Sequence, residues 1–198
     1  MPTQSKPSEE ISRVAIRFAG DSGDGIQLTG SKFTDSTALA GNDISTFPEF
    51  PAEIRAPAGS LAGVSGFQVH FAADEIRTPA DSVDVLVALN PAALRANIDE
   101  VRPGGMLIIN SDAFTRKNLD RAGCQEDPLP AAGDRFKVVE IPLTTLNREA
   151  LKDLKLGTRE TDRCKNFFAL GLMYWLYGRP MEHTIHWLAS CSKPSAWR

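Results

Sequence analysis

Apolar residues in this chain recur in short strand-like runs, separated by stretches whose apolar positions have helical spacing. Several runs are continuous, which is typical of strands buried on both faces of a parallel sheet. The pattern predicts strands at residues 14–19, 44–47, 64–71, 83–89, 106–110 and 137–141. The alternation of strands with helices predicts an α/β fold with three layers, α/β/α, joined by right-handed crossovers.

Two segments modify this simple alternation. Residues 47–59 contain three prolines, so they are predicted to form a long ordered loop and not a central strand. In residues 64–71 the two sets of alternate positions differ in polarity, which is typical of a half-exposed strand. The sheet is therefore predicted to be mostly parallel but mixed.

Two helices are marked clearly in the sequence. Asn90 as N-cap and Pro91 at the first helical position predict a helix that runs to Val101, and the residues at 102–105 (Arg-Pro-Gly-Gly) should stop it. Residues 166–177 are apolar nearly all round. A helix of that kind is expected to be buried in this domain or against a partner.

A glycine-rich turn, which follows the first predicted strand, is the main candidate for a binding site. Its glycines permit positive φ angles and a close approach of a ligand to the backbone. N–H groups at the start of the next helix would attract a phosphate or a carboxylate. The candidate residues are Gly20, Asp21, Ser22, Gly23, Asp24 and Gly25. A βα turn without any ligand would contain the same glycines, so both interpretations stay open.

The turn matches none of three well-known cofactor motifs. The dinucleotide fingerprint fails because Leu28 stands at its third glycine position. The P-loop fails because Ser31 and Lys32 follow in the wrong order. The opening Gly-Asp-Gly of a thiamine-diphosphate motif is present, but residues 50–53 offer no closing Asn for the Mg²⁺ site.

Charged residues near these segments have two interpretations. Asp21 and Asp24 could cap backbone N–H groups, or they could orient a hydroxyl or amine of a ligand. Glu53 and Arg55 lie two apart on the proline-rich loop and would point the same way if it is extended. They could pair with each other or present charge to a partner. The sequence offers no Ser/His/Asp or Cys/His constellation, so no catalytic residue is assigned.

Composition excludes several classes of protein. The 198 residues, 42% of them apolar, suffice for one substantial core. A net charge of −3 and the absence of basic runs argue against nucleic acid as a partner. No apolar run approaches the roughly 20 residues of a membrane span, and the first residues lack the apolar core of a signal peptide. A cytoplasmic location with no membrane partner is therefore expected.

The three cysteines do not form a metal-binding pattern. Cys124, Cys164 and Cys191 are isolated, without a C-x-x-C pair. His183 and His186 could share a helical face, but no third ligand lies near them in sequence. We therefore expect no metal site, and neither an iron–sulfur cluster nor zinc, within this chain.

Five runs together resemble one enzyme family. They are IRFAGDSGDGIQLTGS at 16–31, GNDISTFPEFPAEIRAPAG at 41–59, GVSGFQVHF at 63–71, VDVLVALNPAAL at 83–94 and RCKNFFALGLMYWLY at 163–177. The chain resembles the 2-oxoacid:ferredoxin (acceptor) oxidoreductases over residues 14–188. The similarity is to their gamma-type domain, in the form fused at the N-terminus of the alpha subunit, and the 2-oxoglutarate type looks closest.

The resemblance implies a function that this chain shares with other subunits. Such enzymes oxidatively decarboxylate a 2-oxoacid with thiamine diphosphate, pass electrons through a [4Fe–4S] cluster to ferredoxin, and transfer the acyl group to coenzyme A. The ligands of the diphosphate, Mg²⁺ and the cluster belong to the alpha-type pyrimidine-binding domain and the beta subunit. The chain alone is therefore expected to be inactive.

The gamma-type domain is expected to pack on the catalytic domains and to help hold coenzyme A. The resemblance makes residues 20–25 and the pair Glu53 and Arg55 candidates for ligand or interface contacts. Two other classes of protein remain open, namely a stand-alone nucleotide- or coenzyme A-binding module and a purely structural packing domain.

The resemblance also divides the chain into three parts. Residues 1–12 are expected to be a flexible lead-in, residues 13–188 the gamma-type domain, and residues 189–198 an atypical tail. Related alpha subunits continue beyond this region into a pyrimidine-binding domain, so the tail suggests a truncation. A fragment, a truncated reading frame and a separate gamma subunit are the alternatives.

Overall fold

A six-stranded sheet forms the centre of the protein in the computed structural model, which describes residues 10–53 and 55–191. The strands follow the spatial order β2-β3-β1-β4-β5-β6. Neighbouring pairs among β1, β4, β5 and β6 are parallel, whereas β3 is antiparallel to both β1 and β2. The prediction of a mostly parallel but mixed sheet is confirmed. The strands are β1 Arg13–Asp21, β2 Asp43–Glu49, β3 Val64–Ala72, β4 Val83–Ala88, β5 Val101–Asn110 and β6 Lys137–Ile141.

Helices cover both faces of the sheet, which confirms the three-layer α/β/α architecture. Residues of α1, α5 and α7 join one hydrophobic core with one face of the sheet, and residues of α2 and α4 join a second core with the other face. α6 contacts α5 and α7, and α8 contacts α1. The helices are α1 Ile26–Leu39, α2 Pro91–Asn97, α3 Arg116–Arg121, α4 Leu129–Gly133, α5 Leu143–Leu151, α6 Thr158–Arg163, α7 Lys165–Tyr177 and α8 Glu182–Cys191.

Phe33 of α1 is the centre of the first core and is fully buried. Its ring lies 5.8 Å from the ring of Phe18 and 5.8 Å from that of Phe71, both on the sheet. On its other side it stacks on Tyr174 of α7 at 5.9 Å. These aromatic contacts fix α1 between the sheet and α7, because each ring buries a large apolar area in a specific geometry.

The burial expected for the apolar helix at 166–177 is confirmed along one face of α7. Asn166, Ala169, Leu170, Met173 and Tyr174 are buried there, while Trp175 is 61% exposed. The other large apolar residues of α7 are partly buried against the same core, so most of the apolar surface of this helix serves this domain; they are Phe167, Phe168, Leu172, Leu176 and Tyr177.

The expectation that residues 64–71 form a half-exposed strand is wrong, because β3 is buried along almost its whole length. Its polar residues are buried with partners. Gln68 donates to the carbonyl of Ala80 at 2.7 Å, and the His70 ring lies 3.3 Å from the carbonyl of Thr78. The segment after β3 folds back over these side chains, so the polar alternation reflects hydrogen bonding to backbone and not contact with solvent.

Two predicted boundaries also need correction. The helix after Asn90 begins as expected, and the Asn90 side chain accepts from the Ala93 N–H at 2.8 Å, but α2 ends at Asn97 and does not reach Val101. The residues expected to stop it lie within β5. On the proline-rich segment, β2 extends to Glu49 and includes Pro48. Because β2 is an edge strand, one missing N–H is tolerated there.

The ends of the expected domain meet the limits of the described residues. β1 begins at Arg13, and residues 1–9 of the expected lead-in lie outside the described part of the chain. α8 continues to Cys191, past the predicted boundary at 188, and residues 192–198 lie outside it. The division of the chain into these three parts stays a prediction.

Gly30 lies where α1 touches β3, and a Cβ there would overlap the ring of Phe67. We expect Gly30→Ala to destabilise the protein by about 1–3 kcal/mol through overpacking, despite the better helix propensity of alanine. Gly171 of α7 is the matched control, since a Cβ there meets nothing within 4 Å. Gly171→Ala should stabilise by about 0.5–1 kcal/mol. Chemical denaturation measures both, and equal effects of the two substitutions would contradict the close approach.

Candidate functional site

A cavity of about 440 Å³ lies between the glycine-rich turn and the corner where α6 meets α7. The turn contributes two residues, and the α6–α7 corner contributes the rest. The lining residues are Gly23, Asp24, Thr158, Arg159, Asp162, Arg163 and Lys165. We call this space the turn cavity.

The glycine-rich turn is a compact link between β1 and α1. Ser22–Asp24 form a single 3₁₀ turn, and the Asp21 N–H donates to Oδ2 of Asp24 at 3.1 Å. Gly25 then takes a left-handed conformation with φ of 71°, and α1 begins at the next residue. A side chain at Gly25 would be strained at that φ and would also collide with the amide of buried Asn166 in α7. Packing and backbone conformation therefore account for Gly25 without a ligand.

Gly23 is the glycine of the turn that faces the turn cavity. Its residue is exposed, and a Cβ added there would meet nothing within 4 Å. Because neither a neighbour nor a positive φ requires glycine at this position, the space beside it is available to a ligand. Gly20 differs, since a Cβ there would lie 2.9 Å from Ile26 Cδ1.

The charges around the turn cavity favour an anion. Asp162 is held by Arg148 of α5 through two hydrogen bonds of 2.7 and 2.8 Å, and these lower the pKa of the Asp162 carboxyl. Arg159 and Arg163 are exposed, and neither forms an ion pair with any residue that the structure describes. Two guanidinium groups are thus free to bind an anion in a chain whose net charge is −3.

Asp24 and Lys165, which both line the turn cavity, form an ion pair. Oδ1 of Asp24 lies 2.8 Å from Nζ of Lys165, and the two side chains are 14% and 23% exposed. The pair joins the glycine-rich turn to the first residue of α7. One of the three cations that line the cavity is therefore already neutralised by the protein.

Asp21 ties the turn to the far end of the proline-rich loop. Both carboxylate oxygens accept from the Gly59 N–H, at 3.1 and 3.0 Å. Burial raises the pKa of the Asp21 carboxyl, and the charge of Asp24 adds to this effect, while the hydrogen bond from Gly59 opposes it. Its role in the structure is to hold the loop.

The structure brings only part of the predicted site together. Of the candidate residues, Gly23 and Asp24 line the turn cavity, Gly20, Asp21 and Gly25 shape the turn, and Ser22 is exposed in its 3₁₀ segment. Glu53 and Arg55 are exposed on the loop and do not line the cavity. The Glu53 N–H donates to the carbonyl of Ala62 at 3.1 Å.

The sequence analysis missed the cations contributed by the α6–α7 corner. Arg159 and Arg163 lie four residues apart, and this spacing places both on one face of a helix. That spacing is the sequence signal that could have identified the two arginines. Arg163 and Lys165 also begin the run at 163–177, of which only the apolar residues were used to predict a helix.

A second cavity, of about 350 Å³, lies around buried Arg17 of β1. The guanidinium is fully engaged. It donates to Oδ1 of Asn97 at 2.5 Å and pairs with Glu49 and with Glu100, the latter at 3.2 Å. Asp81 adds a third carboxylate to the lining. Excess negative charge makes this cavity unsuited to a polyanion, which distinguishes it from the turn cavity.

Residues 10–53 and 55–191 contain neither a metal-binding cluster nor a membrane-spanning helix. Within these residues, no group of three or more His, Cys, Asp or Glu side chains is arranged to hold a metal ion. Cys124, Cys164 and Cys191 are not in disulfides. None of the helices in this part of the chain is long and apolar enough to cross a membrane.

Comparison with known families decides the classification. The model of the pyruvate ferredoxin/flavodoxin oxidoreductase family matches residues 15–193, which is most of the chain. The chain belongs to this family. The resemblance found in the sequence is confirmed.

The curated relatives that the chain matches are much longer proteins. A 2-oxoglutarate oxidoreductase subunit KorA of Mycobacterium tuberculosis is 50% identical over 177 residues, which are 89% of this chain and 27% of the relative. A ketoisovalerate oxidoreductase subunit VorA of Methanothermobacter thermautotrophicus is 30% identical over 103 residues, 52% of this chain and 20% of the relative. The chain thus spans about a quarter of the length of these curated relatives.

Two solved structures share the fold. The 2-oxoglutarate:ferredoxin oxidoreductase of Magnetococcus marinus, with 2-oxoglutarate, coenzyme A and succinyl-CoA bound, matches with a TM-score of 0.60 and 27% identity, over 83% of this chain and 24% of that chain. The gamma subunit of a keto/oxoacid ferredoxin oxidoreductase of Geobacter sulfurreducens matches with a TM-score of 0.62 and 20% identity. That match covers 94% of this chain and 89% of the gamma subunit, so the two chains share a fold along most of their length.

The raised pKa of Asp21 predicts a pH dependence of stability. Burial favours the protonated carboxyl in the folded state, so the contribution of Asp21 to the free energy of unfolding is largest below pH 3.8. As the pH rises through the raised pKa of the folded state, wild type should lose stability relative to Asp21→Asn. Chemical denaturation between pH 3 and 6 measures this difference.

Asp162 is a matched control for the sign of that effect. Its pKa is lowered by Arg148, so wild type should gain stability relative to Asp162→Asn as the pH rises toward 3.8. Equal slopes for the two variants would contradict the environment described for Asp21.

Proposed function

We propose that this chain is the gamma-type domain of a 2-oxoglutarate:ferredoxin oxidoreductase and that the turn cavity binds the phosphate groups of coenzyme A. The single observation that carries the second part is the pair of exposed arginines, Arg159 and Arg163, beside Gly23. The 50% identity with the mycobacterial KorA supports the first part. The coenzyme A bound in the related Magnetococcus marinus enzyme supports the choice of ligand.

The chemistry of the cavity suits a diphosphate. Guanidinium groups bind phosphate oxygens through paired hydrogen bonds, and two of them on one helix face can hold neighbouring phosphates. The open space at Gly23 lets such a group approach the backbone. In this proposal Arg159 and Arg163 bind the ligand and Gly23 makes room for it. The residues of the cavity hold and orient coenzyme A and take no part in bond making.

The remaining cofactors are placed on partner subunits. The described residues do not fit thiamine diphosphate, Mg²⁺ or a [4Fe–4S] cluster, since residues 50–53 offer no closing Asn for the thiamine-diphosphate motif and no group of these side chains is arranged to hold a metal. We assign these groups to an alpha-type pyrimidine-binding domain and a beta subunit, with ferredoxin as electron acceptor. We place the assembled enzyme in the cytoplasm and expect the chain alone to be inactive.

Exposed apolar side chains support packing against such partners. Met181 precedes α8, and Ile185 and Leu188 lie on it, and all three are exposed. Apolar surface of this kind commonly marks an interface. A beta-type subunit should therefore retain the chain in a pull-down, whereas a stand-alone coenzyme A-binding module would bind the ligand without that partner.

Removal of the two free arginines should weaken coenzyme A binding. Because each guanidinium provides charge-assisted hydrogen bonds, we expect Arg159→Gln/Arg163→Gln to raise the Kd at least about tenfold. Isothermal titration of the chain with coenzyme A measures this. The binding of wild type should also weaken more steeply with added salt than that of the variant.

Arg13→Gln/Arg77→Gln is the matched control. It removes the same charge at the opposite end of β1, where Arg13 begins the strand and Arg77 follows its neighbour β3. Gly23→Val is a third variant, which fills the open space without changing charge, and it should weaken binding with little change in stability. Equal affinity of wild type and all variants, or no affinity in wild type, would refute the proposed role of the cavity.

A further inference from the structure

Asp24 lines the turn cavity and occupies, beside Lys165, the position that an anionic ligand of this lysine would take. One carboxylate oxygen pairs with Lys165 at 2.8 Å, and the other accepts from the Asp21 N–H at 3.1 Å. Both members of the ion pair are mostly shielded from solvent, at 14% and 23% exposure. An ion pair in such surroundings is screened by salt less than a pair on the open surface.

The same residue also directly precedes α1 in the chain. Gly25, which follows it, is the N-cap of this helix of 14 residues, whose N-terminus carries partial positive charge. The Asp24 carboxylate accepts from the Asp21 N–H and pairs with Lys165, so the anion that the protein itself supplies serves the lysine. A ligand phosphate that approaches the turn meets a negative charge there, whereas one that approaches Arg159 and Arg163 does not.

We propose that Asp24 is an internal counter-ion that competes with the anionic ligand for Lys165 and thereby sets the affinity and selectivity of the turn cavity. The proposal rests on the proposed function only in taking the cavity as an anion site. A ligand reaches Lys165 only by separating it from Asp24. A single phosphate gains little from this exchange, because it replaces one anion with another. A polyanion anchored at the two arginines can make the exchange while keeping its other contacts.

Neutralising Asp24 tests this competition. Asp24→Asn keeps an oxygen that can accept from the Asp21 N–H but removes the charge. We expect the variant to bind inorganic pyrophosphate about tenfold more tightly than wild type does. The fold-increase in affinity for inorganic phosphate should be larger still, so that selectivity for pyrophosphate over phosphate falls. In a Lys165→Met background the same substitution should change affinity by less than about twofold, because the contested cation is gone.

Three further variants separate this role from a structural one. Asp24→Glu keeps the charge and should not show the tightening expected of Asp24→Asn. Asp35→Asn removes the same charge and frees Lys32 outside the cavity, so it should leave affinity unchanged. Asp24→Ser also removes the charge and offers a hydroxyl as acceptor. If Asp24→Asn does not fold, Asp24→Ser should show the same increase in affinity for pyrophosphate. Thermal unfolding of each variant verifies folding.

The outcomes also distinguish this proposal from the coenzyme A assignment. Tighter pyrophosphate binding that depends on Lys165, without any coenzyme A binding, would support the counter-ion and refute the assignment of coenzyme A. Coenzyme A binding in wild type with no tightening in either neutral variant would overturn the counter-ion and leave the assignment intact. Absence of binding of any of the three anions by all variants would overturn both.

Discussion

The contact between the glycine-rich turn and the α6–α7 corner is the constraint on which the candidate site depends. Gly25 can approach α7 because it has no side chain to collide with Asn166, and its positive φ directs the chain into α1. The Asp24–Lys165 ion pair lies beside this contact. Only Cys164 separates α6 from α7, so the position of Lys165 also sets the position of the two free arginines.

The balance of charges distinguishes a structural site from a candidate binding site in the two cavities of this protein. At Arg17 every guanidinium nitrogen has an acceptor, and carboxylates outnumber the cation, so the group joins β1 to β2 and to the residues after α2. At the turn cavity the carboxylates are each paired while Arg159 and Arg163 are left over. The charges around Arg17 are therefore compensated within the protein, whereas the turn cavity has unpaired cations that can bind an external anion.

Much of the fold could be predicted from sequence because apolar periodicity and turn residues are local signals. The apolar run that begins at Val85 in β4 and the Asn-Pro start of α2 are examples. β3 was misjudged because its polar residues bond to backbone carbonyls of a later segment, and such partners leave no local pattern. Of the candidate site, the glycine-rich turn was predicted from sequence, and the α6–α7 corner was not. The turn is visible as a string of glycines, but α6 lies more than a hundred residues away, and only the fold brings its arginines to Gly23.

Amide chemical-shift mapping of the chain titrated with coenzyme A tests most directly whether this ligand binds at the turn cavity. Binding there predicts saturable shifts concentrated at residues 22–25 and 158–165, with little change around Arg17, Glu49 and Gln68 of the second cavity. Shifts concentrated at the second cavity, or no saturable shift at the turn, would contradict it.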